Sequence, residues 1–124
     1  YYIQYAHARI CSLMKELPER GFNYSNSEGS RALSSLCSDK ENELVSQINS
    51  YQQTLERCFD KREIHSLCFY LRDLAAIFHS FYNSHPILDE DNNSRNARIA
   101  VSLAAKAVIS DGLGILGIVA PEKM

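Results

Sequence analysis

Glycine and proline are scarce in this chain, five and three among 124 residues, so few positions can break a helix and long elements are expected. The four cysteines, Cys11, Cys37, Cys58 and Cys68, form no CxxC pair, which removes the usual dithiol and zinc-ribbon spacings. No apolar run approaches the roughly 18 residues that a membrane span needs, and no secretory leader is visible. There is no excess of positive charge either: 13 Lys and Arg stand against 15 Asp and Glu, a formal net charge of -2. Proteins that grip duplex DNA neutralise phosphates and are usually basic, so DNA is not an expected partner. A glycine-rich phosphate loop, an HExxH pair and a nucleophile elbow are all missing, so no catalytic residue is nominated. These absences point to a reducing, cytoplasmic protein without a membrane partner.

What is present is ordinary globular material. Hydrophobic residues make up 45% and charged residues 23%, enough for one domain with a core. Residues 1–17 place Ile3, Ala6, Ile10, Leu13 and Leu17 in one stripe, which predicts an amphipathic helix ended by Pro18 and Gly21. The polar stretch PERGFNYSNSEGS reads as a loop. Ser38 followed by Glu41 is a capping box, so a long helix should start near Asp39 and carry Leu44, Ile48, Tyr51, Leu55 and Cys58 on its apolar face. Asp60 with Glu63 repeats that signal for a third helix, with Ile64, Leu67, Leu71, Leu74, Phe78 and Phe81 on its main face. Phe69, Tyr70 and Ile77 lie off that stripe, which marks a central helix, and Pro86 ends it. ILDEDNNSRN is an acidic connector with a cap at Asn93 or Ser94. An alanine-rich last helix follows, its Gly112, Gly114 and Gly117 permitting close approach. The predicted architecture is all-α, an antiparallel bundle of four to five helices.

His65 and Cys68 lie three apart on one helix, and His79 and His85 follow. As a zinc set they fail, because at about 100° per residue the histidines point in different directions, and Cys68, like Cys11, sits among apolar neighbours as buried thiols do. LDEDNNS lacks the central glycine and distal glutamate of a calcium loop. No metal ligand is therefore nominated.

The aromatic residues are more informative. On a helical wheel Tyr5 falls about 120° from the buried stripe, beside Arg9 and Ser12, with Tyr1 and Ala8 close by. A tyrosine next to an arginine on an outward face suits an unstacked base: the ring stacks, the guanidinium pairs with a phosphate or base edge, and Ala8 leaves room. From spacing alone, packing of Tyr5 against a neighbouring helix or another domain is the favoured reading. Tyr82 lies on the apolar stripe of its helix, with a hydroxyl that can emerge at the bundle's end.

Taken together, YYIQYAHARI near one end, FHSFYNSHPILDEDNNSRNARIA, and the GLGILGIVAPEKM ending resemble the arginyl-tRNA synthetase family. The similarity is to its C-terminal DALR anticodon-binding domain, an all-helical domain of a class I aminoacyl-tRNA synthetase, and it covers nearly all of residues 1–124. The DALR letters themselves are degenerate, with SRNARIA in their place. The resemblance implies a parent enzyme that uses ATP, with magnesium, to join arginine to its tRNA. The Rossmann catalytic domain that would bind these is absent, so the 124 residues should be non-catalytic and carry no cofactor. The implied partners are the anticodon loop of the arginine tRNA and the parent's own catalytic domain. Carried over by position, the implied tRNA-binding residues are Tyr5, Ala8, Arg9, Tyr82 and Met124. The start within a helix, without methionine, then reads as a cut inside a larger enzyme. Two alternatives remain: a stand-alone helical protein-interaction module, and the related anticodon-binding domain of another synthetase.

Overall fold

The computed structural model describes residues 2–88 and 91–124. Among the described residues are six helices, α1 (Tyr2–Glu19), α2 (Asn26–Ala32), α3 (Asp39–Asn49), α4 (Tyr51–Lys61), α5 (Ile64–Ser84) and α6 (Asn92–Ile115), and one 3₁₀ turn at Leu33–Ser35. Five of them have eleven or more residues, in line with the expected bundle, and there is no strand among the described residues. Tyr1, from which helix was expected, and Asp89 and Glu90 of the acidic connector lie outside the described residues.

The hydrophobic stripes predict the core well. Ala6, Ile10, Leu13 and Leu17 of α1 are buried against Leu67, Leu71, Leu74, Phe78 and Phe81 of α5 and Ile99, Ala105 and Ile109 of α6, with Ile3 half-buried at the edge. Helix α5 is central, packing on α1, α3, α4 and α6. Lys40 meets Ser80 while Gln47 meets Tyr70, so α3 and α5 run antiparallel. Leu71 faces Gly112 and Arg98 reaches the Pro86 carbonyl, which sets α6 antiparallel to α5. At Gly112 the close approach expected of small residues is realised: a Cβ there would fall 2.8 Å from the Leu71 methyl carbons.

Three helices end in the same way. After α1, Gly21 adopts φ 81°, with Phe22 N–H bonded to the Leu17 carbonyl and Gly21 N–H to that of Pro18. Gly117 does the same after α6 (φ 75°), and Arg62, without a glycine's freedom, after α4 (φ 55°). This is the Schellman arrangement, which satisfies helix-end carbonyls and reverses the chain. After α6 it sends residues 117–124 back along the bundle.

The structure corrects several local expectations. The supposed loop over 18–30 contains α2, started by Ser25, whose hydroxyl accepts the Glu28 N–H at 3.3 Å. The long helix from Asp39 breaks at Ser50. There the Gln47 carbonyl accepts from the Ser50 N–H, from its hydroxyl at 2.8 Å and from the Tyr70 hydroxyl, which diverts it from the regular ladder. Asp60 caps nothing, because α4 runs through it to its turn at Arg62; Glu63 precedes α5 but makes no side-chain cap. Ile64 and Cys68 are exposed, on the side of α5's first turns that is turned away from the core. Helix α6 is capped by Asp91, accepting the Ser94 N–H at 2.9 Å, rather than by Asn93 or Ser94. The capping box at Ser38 and Glu41 forms as expected, and α5 stops at Ser84 with His85 already extended before Pro86.

Candidate nucleic-acid interface

Helices α1 and α5 meet along a seam that the Arg9 side chain crosses. Its Nη1 donates to His79 Nδ1 at 3.1 Å and its Nη2 reaches Asn83 Oδ1 at 3.5 Å. The guanidinium carbon sits 3.7 Å from the centroid of the Tyr82 ring and 5.6 Å from that of Tyr5. His79 and Asn83 are four residues apart on α5 and so share one side of that helix, with Tyr82 between them. Arg9 is thus fixed by two neutral acceptors and two aromatic faces. No carboxylate is among its partners in the described residues, and its positive charge stays available to an incoming anion or base edge.

His79 is buried (6% exposed), with the Tyr2 ring 4.7 Å and the Tyr5 ring 5.3 Å from its own, the latter stacked. A guanidinium can only donate, so Nδ1 must present its lone pair and the ring proton belongs on Nε2. Burial lowers the imidazole pKa, the Tyr2 backbone opposes this, and the Arg9 charge adds to the lowering. The ring is therefore neutral near pH 7, as its role as acceptor requires.

The chain's own end closes the site. His7, buried at 4% exposure, donates from Nδ1 to the Pro121 carbonyl at 2.7 Å and so ties the returning tail to α1. Met124, largely exposed, then lines a cavity of about 290 Å³ together with Tyr5, Ala8, Arg9, Ser12 and Tyr82. All five residues nominated from the sequence thus border one groove. A second cavity, of about 320 Å³, shares Leu13, Glu16 and Tyr82 with it and continues the groove toward Arg20.

Two expectations about the site change. Tyr5 is outward-facing as expected, 47% exposed, and its ring already rests on His79, so the packed and the outward readings both describe it. Ala8 is buried (3% exposed) rather than open: the tail tied down by His7 covers that side of α1, and Ala8 forms the groove's floor. His79, Asn83 and His7 were not identified from the sequence as parts of the site. The i,i+4 spacing of His79 and Asn83 around Tyr82 was the available signal, but it needs the α1–α5 pairing to acquire meaning. The three histidines have separate partners: the His65 ring meets Phe69, His79 holds Arg9, and His85 Nε2 bonds the Ser38 hydroxyl at 3.0 Å. Among the described residues no group of three or more His, Cys, Asp or Glu side chains is placed to hold a metal ion.

A larger cleft, of about 810 Å³, lies between α2 and the start of α6. It suits an RNA ligand less well despite its size. Its aromatic face, Phe22, is already covered by Arg95 at 4.1 Å, Glu28 stands on its wall, and the Asp91 carboxylate takes the Ser94 amide at the start of α6. The cleft also carries cations, Arg31 and the buried Arg95; what the smaller groove adds is an exposed ring, Tyr5, beside its arginine.

Residues 3–124 match the family described as the DALR anticodon binding domain. The arginine–tRNA ligase of Thioalkalivibrio sulfidiphilus is 39% identical over 124 residues, all of this chain and 21% of that protein. The arginine–tRNA ligase of Legionella pneumophila is 41% identical over the same 124 residues, again 21% of its length. Among solved structures, the arginyl-tRNA synthetase of Thermus thermophilus superposes with a TM-score of 0.84 at 27% identity, covering 99% of this chain and 21% of that one. The chain spans about a fifth of the length of these relatives.

Proposed function

The chain belongs to the DALR anticodon-binding domain family, and from that premise we propose that it recognises the anticodon loop of the arginine tRNA as one part of an arginine–tRNA ligase. The observation that carries this reading is the convergence of Tyr5, Arg9, Tyr82 and Met124 on one groove, with the Arg9 guanidinium over the Tyr82 ring. Such a groove can stack an unpaired base on tyrosine while the guanidinium meets its edge or the adjoining phosphate. With one arginine and one glutamate, Glu16, along its lining, selectivity comes from stacking and base edges rather than from many phosphate contacts. That fits the chain's net charge of -2.

In this reading the domain contributes binding energy remote from the reacting atoms, which orients the other end of the tRNA for aminoacylation. ATP with magnesium, and arginine, would be bound by the catalytic domain of the parent enzyme, against which this bundle would pack. The cytoplasm is the compartment such an enzyme needs, and no helix among the described residues is long and apolar enough to cross a membrane. The test is fluorescence anisotropy with two RNA stem-loops that differ only in the anticodon. Tighter binding of the stem-loop bearing an arginine anticodon is expected; equal binding of both would sink the proposal.

A further inference from the structure

We infer that His79 is a positioning residue for RNA recognition: as a buried acceptor it holds the Arg9 guanidinium across Tyr82 and beside Tyr5 before any RNA arrives. The inference rests on the anticodon-loop reading of the groove. It assigns to His79 a task that neither its exposure nor direct contact with RNA would suggest, since Tyr2 and Tyr5 cover it from α1 and only 6% of it is exposed.

The argument is one of preorganisation. A free arginine side chain has several rotatable bonds, and fixing them on binding costs affinity. Here the bond to His79 Nδ1 at 3.1 Å fixes one edge of the guanidinium, Asn83 Oδ1 the other, and the Tyr82 face one side. Arg9 also lines the groove. His79 also supports Tyr5, whose ring stacks on it with planes 25° apart, so one buried imidazole fixes both members of the base-binding pair. No alternative acceptor for Nη1 is recorded among the described residues.

The arrangement works in one protonation state. A proton on Nδ1 would turn the acceptor into a donor facing another donor and place two cations together. The groups around His79 are Arg9 and the phenols of Tyr2 and Tyr5 from α1, and Phe78, Tyr82 and Asn83 from α5. Arg9 is the charge whose field acts on the ring, and it disfavours protonation, as burial does. RNA binding should therefore hold near pH 7 and fall as the pH drops below the ordinary histidine range, in step with His79.

The experiment compares wild type, His79→Phe and His79→Asn in the full-length protein that carries this domain. The probe is an RNA stem-loop bearing an arginine anticodon, with a second of altered anticodon as reference. Phenylalanine keeps the buried ring but removes the acceptor; asparagine restores an acceptor oxygen and does not titrate. His79→Phe should weaken binding on the order of tenfold, the size of one hydrogen bond to a charged group. His79→Asn should recover most of that loss, and both variants should lack the acid-side fall seen in wild type. Unfolding curves establish that each variant is folded. Wild-type affinity in a folded His79→Phe, or an acid-side fall that persists in both variants, would overturn the inference while leaving the anticodon reading intact. Failure of the wild type to prefer the arginine anticodon would remove that reading and the inference with it.

Discussion

Two arginines near the C-terminal end of α5 keep opposite company. Arg98 donates from Nε to Glu41 Oε2 at 3.0 Å and from Nη1 to the Pro86 carbonyl at 2.9 Å, with both members of the ion pair largely buried. Glu41 in turn accepts the backbone N–H groups of Cys37 and Ser38, so one carboxylate caps α3 and ties it to α6. Arg9 crosses the other side of α5 and is held by an imidazole, an amide and a ring, all uncharged. The first arginine is neutralised and belongs to the fold. The second is fixed in place and, among the described residues, is not neutralised, which suits a cation that serves a binding site.

The largest effect expected from this contrast falls on stability. Glu41→Ala removes a helix cap and takes the carboxylate from Arg98, which keeps the Pro86 carbonyl, a change that should cost about 2–4 kcal/mol. Chemical unfolding should show that loss, and RNA affinity of the molecules that remain folded should be unchanged. Next come Tyr5→Ala and Arg9→Ala, which should reverse the pattern. Each should weaken stem-loop binding by about 1–3 kcal/mol, the range for losing a base stack, while the unfolding midpoint barely moves. Similar effects of Glu41→Ala and Arg9→Ala on both readouts would dissolve the distinction between the two arginines.

The acid limb of stability sharpens the same contrast. The backbone N–H bonds of Ser38 and Cys37 and the Arg98 partner outweigh the opposing effect of burial and hold the Glu41 carboxyl down to about 2. Because the folded pKa is depressed, the stabilisation is fully present above the ordinary carboxylate range and is lost as the pH falls through that range toward 2. A urea-unfolding series from neutral to acid pH should show this decline, and Glu41→Gln should remove much of it. Among the described residues Arg9 has no carboxylate partner, so Arg9→Ala should leave the slope as it is. The smallest effect is expected from His7→Ala, which unties the Pro121 carbonyl. Amides of residues 118–124 should then exchange faster with deuterium, and RNA affinity should fall only a few-fold, because Met124 forms one wall of the groove and not its stacking surface.

The core was legible from periodicity alone, because Ala6, Ile10, Leu13 and Leu17 answer Leu67, Leu71, Leu74 and Phe78 at helical spacing. The break at Ser50 was not, since one of the two hydroxyls that draw on the Gln47 carbonyl comes from Tyr70 on another helix. Helix α2 carried its Ser25–Glu28 cap signal in a stretch too polar for a hydrophobic stripe. At the site, the wheel separated Tyr5 and Arg9 from the buried stripe correctly. It misplaced Ala8, because the covering tail is remote in sequence and held by His7. The role of His79 depends on which residues of α1 and α5 come opposite each other, and Met124 was suggested by family resemblance rather than by spacing.

The central claim is that RNA is read at the α1–α5 seam and not in the larger cleft between α2 and α6. Hydrogen–deuterium exchange of the full-length protein, with and without the arginine tRNA, tests it most directly. The account predicts that bound tRNA slows exchange within 2–12, 79–83 and the tail over 118–124, and leaves 21–32 and 92–96 unchanged. Protection confined to 21–32 and 92–96, with the seam unaffected, would contradict it.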